Sequence, residues 1–243
     1  MRKCVRILDV NVDDLTMDGA IDSIVKLLKD DKNNIICTPN AEIMMTSYKD
    51  DELRFILNES SMVIPDGCGV VLASKILGVP LKERVAGYDL VQGIFKLKLD
   101  RKIRMFLLGG APLVAKRAAE RYANLEGVEF VGYYDGYFTE EEEPGIIDRI
   151  NELDVDILLV GMGAPKQEKW MYKNKDKLKV KISMGVGGSF DIMAGEVKRA
   201  PKFFRDNGLE WFYRLCKQPT RLKRMLKLPR FILLVIYKRL VNG

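Results

Sequence analysis

Apolar and polar positions along this chain follow two alternating rhythms. Short, mostly apolar runs stand at residues 34–37, 62–64, 103–108, 128–134, 157–160 and 180–186, each the length of a buried strand. Between them apolar residues recur at helical spacing. Ala20, Ile21, Ile24, Val25, Leu27 and Leu28 do so behind Thr16, a good helix cap. Further helical patterns run over 42–57, with Ile43, Met44, Phe55 and Ile56 on the buried side, over 70–77 and over the later part of 84–99. Three more cover 112–125 with Pro112 in the first turn, 140–153 capped by Thr139, and 166–175. Residues 5–12 alternate at period two, as an edge strand or hairpin does. Strand and helix alternating in this way predict an α/β fold: a Rossmann-like, mostly parallel sheet with helices on both faces.

The rhythm breaks near residue 198. Beyond it Phe203, Phe204, Trp211, Phe212 and Tyr213 interleave with cations, and two or three short helices are expected, interrupted at Pro219 and Pro229. The chain therefore divides into an α/β core, 1–197, and a helical appendage, 198–243. The net charge of +6 is unevenly spread: the appendage holds thirteen Lys or Arg against Asp206 and Glu210. Such asymmetry suggests an anionic partner. A solvated helix face, a nucleic-acid surface and a membrane surface all fit the charge alone. Short apolar runs framed by Lys and Arg, with Trp and Tyr nearby, favour reversible attachment to a membrane leaflet, and no nucleic-acid-binding motif accompanies them. Each cation near an anionic leaflet adds about 1 kcal/mol. No apolar stretch approaches the roughly 20 residues that span a bilayer, and Met1 leads into a strand rather than a signal peptide. The four cysteines are scattered without C-x-x-C spacing and read as reduced thiols of a cytosolic protein.

The chain has no histidine, so any general base must be another residue. Thr38-Pro39-Asn40 and Pro65-Asp66-Gly67 each follow a buried run and precede a helix. In open parallel sheets ligands bind at the carboxyl ends of strands, so a hydroxyl, an amide and a carboxylate should converge there. Asp66 is the leading candidate base. Asp-Gly is also a common turn pair, and it is Thr38 and Asn40 beside it that favour chemistry. Gly109-Gly110 and Gly187-Gly188 offer backbone N–H groups for a diphosphate, or simply close packing; neither matches a dinucleotide fingerprint or a Walker loop. Gln167, after Gly161-x-Gly163-x-Pro165, can hold a sugar or base through both amide atoms. Asp154-Val155-Asp156 resembles a metal-binding D-x-D triplet but precedes its strand, on the wrong edge of the sheet. No metal site and no cofactor are expected. A departing diphosphate would then rely on amides and on arginines, with Arg84, Arg214, Arg221 and Arg224 as candidates.

Seven segments, in order along nearly the whole chain, resemble the WecG/TagA/CpsF glycosyltransferases: 36–42, 64–69, 84–89, 107–110, 136–138, 163–168 and 185–191. The ending, with Trp211, Arg214, Pro219, Arg221 and Arg224, is similar to the TagA branch. The resemblance implies the fold type called GT-E and a metal-independent, inverting transferase. It implies transfer of N-acetylmannosamine from UDP-ManNAc to the C4 hydroxyl of GlcNAc on undecaprenyl diphosphate, the first committed step of the wall teichoic acid linkage unit. Asp66 matches the family's proposed base and Thr38 a residue near the sugars. Asn40, Arg84 and Gln167 match pocket positions. Arg214, Arg221 and Arg224 match functional arginines of an appendage that closes over the site at the inner face of the cell membrane. A core homodimer with the appendage displaced is a further implied state. Two alternatives stand beside this reading: another UDP-sugar donor (ManNAcA or glucose) for exopolysaccharide synthesis, and a non-catalytic membrane adaptor that senses a nucleotide.

Overall fold

A computed structural model describes residues 3–217 and 222–242. The period-two N-terminus forms an antiparallel hairpin of its own, β1 (Cys4–Ile7) with β2 (Val10–Asp13). Helix α1 (Met17–Leu27) follows, its first turn capped by the Thr16 hydroxyl, which accepts from Gly19 N–H. Then come β3 (Asn34–Cys37), α2 (Ala41–Ser47), α3 (Asp51–Glu59), β4 (Met62–Val63), α4 (Cys68–Ile76) and α5 (Gly87–Ile94). The second half runs β5 (Ile103–Gly109), α6 (Val114–Arg121), β6 (Val128–Tyr134), α7 (Glu143–Glu152), β7 (Ile157–Gly161), α8 (Lys166–Lys173), β8 (Ile182–Gly185) and α9 (Ser189–Ala194). Four helices close the described chain: α10 (Lys202–Asp206), α11 (Glu210–Lys217), α12 (Leu222–Met225) and α13 (Lys227–Asn242).

Strands β3 to β8 form one all-parallel sheet in the order β4-β3-β8-β7-β5-β6. Alternate residues of each strand face opposite sides. Ile35, Cys37, Phe106, Leu108, Leu158 and Val160 enter one apolar cluster, and Ile36, Met105, Leu107, Ile157 and Leu159 enter the other. A sheet buried on both faces favours apolar residues at successive positions, which is why its strands read as near-continuous apolar runs. The α/β expectation is met.

Three local expectations are corrected. The pattern over 42–57 is two helices, because Asp50 caps a new one through Leu53 N–H at 3.0 Å. The break turns Phe55 outward, 54% exposed, against Tyr172. Pro112 does not open α6: Leu113 takes a left-handed conformation and the helix starts after it. Pro229 does not interrupt the tail either. It lies in the first turn of α13, where the missing N–H has no helical acceptor to serve. Pro219 lies outside the described residues.

The appendage packs on the core. Phe231 and Val235 of α13 are fully buried in the cluster formed by Met44, Leu53, Val70 and their neighbours, so α13 rests on α2 and α4. Lys227 reaches Glu42 at 3.6 Å and donates to the Thr46 hydroxyl at 3.2 Å. No helix among the described residues is long and apolar enough to cross a membrane.

Candidate active site

Where β3 ends, Thr38 is buried and its hydroxyl donates to the Gly185 carbonyl at 3.0 Å, tying β3 to the end of β8. Two residues on, Asn40 starts α2. Its Oδ1 accepts from Glu42 N–H at 2.9 Å and Ile43 N–H at 3.1 Å, so that oxygen is committed to the helix. Where β4 ends, Asp66 sits half-buried, its N–H bonded to the Ile64 carbonyl at 2.9 Å. Gly67 follows with φ +87°, a turn that glycine makes without strain, and α4 begins. The Pro65 carbonyl accepts from Val85 N–H at 3.1 Å, which lays the Arg84 loop beside Asp66.

The third and fourth walls come from β7 and β8. Gln167, in the first turn of α8, is buried; its Oε1 accepts from Gly187 N–H at 3.1 Å and its Nε2 donates to Glu168 Oε1 at 2.8 Å. Glu168 is fully enclosed, and burial raises its carboxyl above the usual carboxylate range. Cys37 lies near enough for that carboxylate, added to burial, to push its thiol far up as well. Cys68, at the start of α4, is raised by burial against the opposing pull of the Arg84 charge. Neither cysteine is therefore thiolate-like.

Together these strand ends enclose a cavity of about 320 Å³. The appendage completes it with Gly208, Glu210, Trp211, Met225 and Leu228. Thr38, Asn40, Asp66, Arg84, Gln167 and Gly187 all line it. Arg84 faces Glu210 at 3.5 Å. Gly109 and Gly110 do not line it. A Cβ on Gly109, at φ +130°, would lie 2.5 Å from the Gly161 carbonyl carbon. Gly110 N–H donates to the Gly161 carbonyl at 3.0 Å. The pair makes the close contact between β5 and β7. Arg221 lies outside the described residues, as do the side chains of Arg214 in α11 and Arg224 in α12.

Sequence reasoning missed the cavity residues that the tail supplies, Arg199 and Trp211 among them. Arg199 donates to Asp89 Oδ1 at 2.6 Å and stacks over the Tyr88 ring at 4.7 Å, and both Tyr88 and Arg199 line the cavity. Trp211 looked like an interfacial tail residue and is a cavity wall. Both reach the site only because the tail folds back, and local spacing carries no sign of that. The D-x-D triplet lies at the amino edge as expected: Asp156 receives a two-pronged bond from Arg101 at 2.6 Å on each oxygen. Among the described residues no group of three or more Cys, Asp or Glu could hold a metal ion.

Such a site can accept a proton at Asp66, hydrogen-bond hydroxyls through Thr38 and Asn40, and attract an anion through Arg84 and Arg199. Comparison with known proteins agrees with chemistry of this kind. The model of the glycosyl transferase WecG/TagA/CpsF family matches residues 5–243. A Bacillus spizizenii protein named N-acetylglucosaminyldiphosphoundecaprenol N-acetyl-beta-D-mannosaminyltransferase is 37% identical over 210 residues, covering 86% of this chain and 81% of that protein. The Bacillus subtilis protein of the same name is 35% identical over 203 residues, covering 83% and 78%. With the match running through every segment that builds the cavity, the chain belongs to the WecG/TagA/CpsF family of glycosyl transferases.

Proposed function

We propose that this enzyme transfers N-acetylmannosamine from UDP-ManNAc to the C4 hydroxyl of GlcNAc on undecaprenyl diphosphate, with inversion and without a metal ion. The observation that carries the reading is the placement of Asp66, Thr38, Asn40, Gln167 and Arg84 on one cavity at the carboxyl ends of β3, β4, β7 and β8. The names of the two relatives supply the sugar and the acceptor. Those names also record a β-linked product, which a single displacement gives from an α-linked nucleotide sugar.

In this mechanism the acceptor oxygen attacks the anomeric carbon while Asp66 takes its proton. The bond from the anomeric carbon to the phosphate oxygen breaks, and UDP leaves with the electron pair. Arg84, Arg199 and the appendage arginines Arg214, Arg221 and Arg224 answer the charge that develops. Thr38 acts only as an acceptor of substrate hydrogen bonds, because its own proton is held by the Gly185 carbonyl. The appendage finds the lipid by lying on the cytoplasmic leaflet. Support for this comes from α13, which buries Phe231 and Val235 yet leaves Leu233, Ile236, Tyr237, Leu240 and Val241 exposed among Arg and Lys.

The test is UDP release from UDP-ManNAc with a GlcNAc-diphospho-lipid, in EDTA, for wild type and Asp66→Asn. Acceptor-dependent release that drops by about 10²-fold or more in the variant is expected. Full activity in Asp66→Asn refutes the base. Release from UDP-glucose or UDP-ManNAcA in place of UDP-ManNAc refutes the donor.

A further inference from the structure

The mechanism above leaves unused a fully buried acid bonded to a cavity residue. Glu168 is 0% exposed, and among the described residues its Oε2 has no hydrogen-bond partner. Burying a carboxyl this way costs free energy, and a methionine would fill the space without it. Its other oxygen makes one specific contact, 2.8 Å from Gln167 Nε2. Neighbouring positions on a helix point about 100° apart, so these two side chains must both bend into the same space to meet.

The consequence of that contact lies at the far end of the Gln167 amide. An amide has a donor end and an acceptor end of nearly equal shape. With Nε2 held by Glu168, Oε1 faces Gly187 N–H and accepts from it at 3.1 Å. Turned over, the amide would set its NH₂ against that N–H, donor to donor. Gly187 stands at φ +51° in the 186–189 wall of the cavity. Two residues earlier the same backbone is held by the Thr38 hydroxyl on the Gly185 carbonyl. The wall is thus clamped from both sides, and one clamp depends on which way Gln167 is turned.

We propose that Glu168 is a positioning residue for donor binding, fixing the orientation of the Gln167 amide and through it the Gly187 wall that receives the nucleotide sugar. The inference rests on reading this cavity as a UDP-sugar site. Glu168 touches no substrate itself. A glutamine at 168 still offers an acceptor oxygen to Gln167 Nε2; a methionine of similar length offers none.

The experiment measures UDP binding by calorimetry, and KM and kcat for UDP-ManNAc, in wild type, Glu168→Gln, Glu168→Met, Gln167→Leu and the Gln167→Leu/Glu168→Met double variant. Glu168→Gln should stay within about threefold of wild type, as its retained acceptor predicts. Glu168→Met should raise both the UDP Kd and the donor KM by about tenfold or more, with kcat at saturating donor changed by less than about threefold. In the Gln167→Leu background the same change should add less than about twofold, because Glu168 acts through Gln167. Wild-type affinity in Glu168→Met, an equal loss in Glu168→Gln, or a full additive loss in the double variant each overturns the proposal. Amide exchange at Gly187 reads the clamp without any ligand and without the methionine variant. Protection in wild type and in Glu168→Gln is expected, and an unprotected Gly187 amide overturns the clamp. A wild type that fails to bind UDP overturns the nucleotide reading and this inference with it.

Discussion

Phe231→Ala tests whether the appendage is a separately docking unit. Phe231 and Val235 are the fully buried side chains that seat α13 on α2 and α4. Burying such side chains contributes about 1.5–3 kcal/mol each, so the two supply roughly 3–6 kcal/mol toward docking. Truncating a buried Phe to Ala costs about 3–5 kcal/mol. At about 1.4 kcal/mol per factor of ten, a loss of 3 kcal/mol lowers the ratio of docked to undocked α13 by about two orders of magnitude. If α13 docks separately, limited proteolysis should cut residues 222–242 much faster in the variant, while the core keeps its melting temperature within a few degrees. UDP binding should weaken as well, because Leu228 leaves the cavity wall with the helix. The reasoning fails if proteolysis is unchanged. It fails differently if the whole chain melts about 6–20 °C lower in one transition, the shift that 3–5 kcal/mol gives a chain of this size. That second result would make α13 part of a single cooperative core and remove the boundary near residue 198.

The remaining expectations concern the cavity and its supports. Thr38→Val keeps the packing against Gly87 but removes the bond to Gly185; it should cost about 1–3 kcal/mol in urea unfolding, while Thr38→Ser costs less, and equal losses would refute the role of the hydroxyl. Gly109→Ala should destabilise by roughly 2–4 kcal/mol, because its Cβ meets the Gly161 backbone at a strained φ; a stable variant that has lost UDP binding would restore Gly109 as a phosphate ligand. For Glu168, burial raises the folded-state carboxyl above its ordinary 4.5. The folded chain therefore keeps a proton that the unfolded chain releases, and stability falls as pH rises through that window. The stability of Glu168→Gln relative to wild type should accordingly grow from pH 4 to pH 8, and a flat difference in urea unfolding across that range would refute the shift.

What the sequence makes legible follows from the range of the interactions involved. Strands buried on both faces are mostly apolar at successive positions, so β3, β5 and β7 stand out as runs, and the strand-end positions of Thr38 and Asp66 come with them. The break at Asp50 is local too, but it hides inside an otherwise continuous helical pattern, and Phe55 is misplaced as a result. Glycine pairs after strands are ambiguous in principle. Gly187 faces the cavity and Gly109 faces a neighbouring strand, and only the strand order β8-β7-β5 separates the two cases. Arg199 and Trp211 were beyond reach: Arg199 meets Asp89 across 110 residues of chain, and no local pattern records a contact of that range.

Charge bears on the tail's proposed part in the chemistry, beside its proposed contact with the lipid. Among the described residues, the Asp, Glu and Arg side chains that line the cavity are Glu42, Asp66 and Arg84 from the core and Arg199 and Glu210 from the appendage. Acids outnumber bases, and each arginine already faces a carboxylate, Arg84 at Glu210 and Arg199 at Asp89. A leaving UDP adds further negative charge to an enclosed space where charge interactions are weakly screened. Among the described residues the core itself supplies one cavity arginine, Arg84, and the appendage's own Glu210 faces it, so a diphosphate calls for cations beyond Arg84. The appendage carries thirteen Lys or Arg and joins the cavity at Arg199, Gly208, Glu210, Trp211, Met225 and Leu228. We propose that Arg214, Arg221 and Arg224 bring further charge when the tail is docked, which would couple leaving-group stabilisation to closure of the cavity. The EDTA arm of the UDP-release assay bears directly on this coupling. Activity that survives EDTA but falls in Arg214→Ala and Arg221→Ala, with KM for the donor rising, is the expected result; activity that EDTA abolishes would mean that an ion supplies the charge instead.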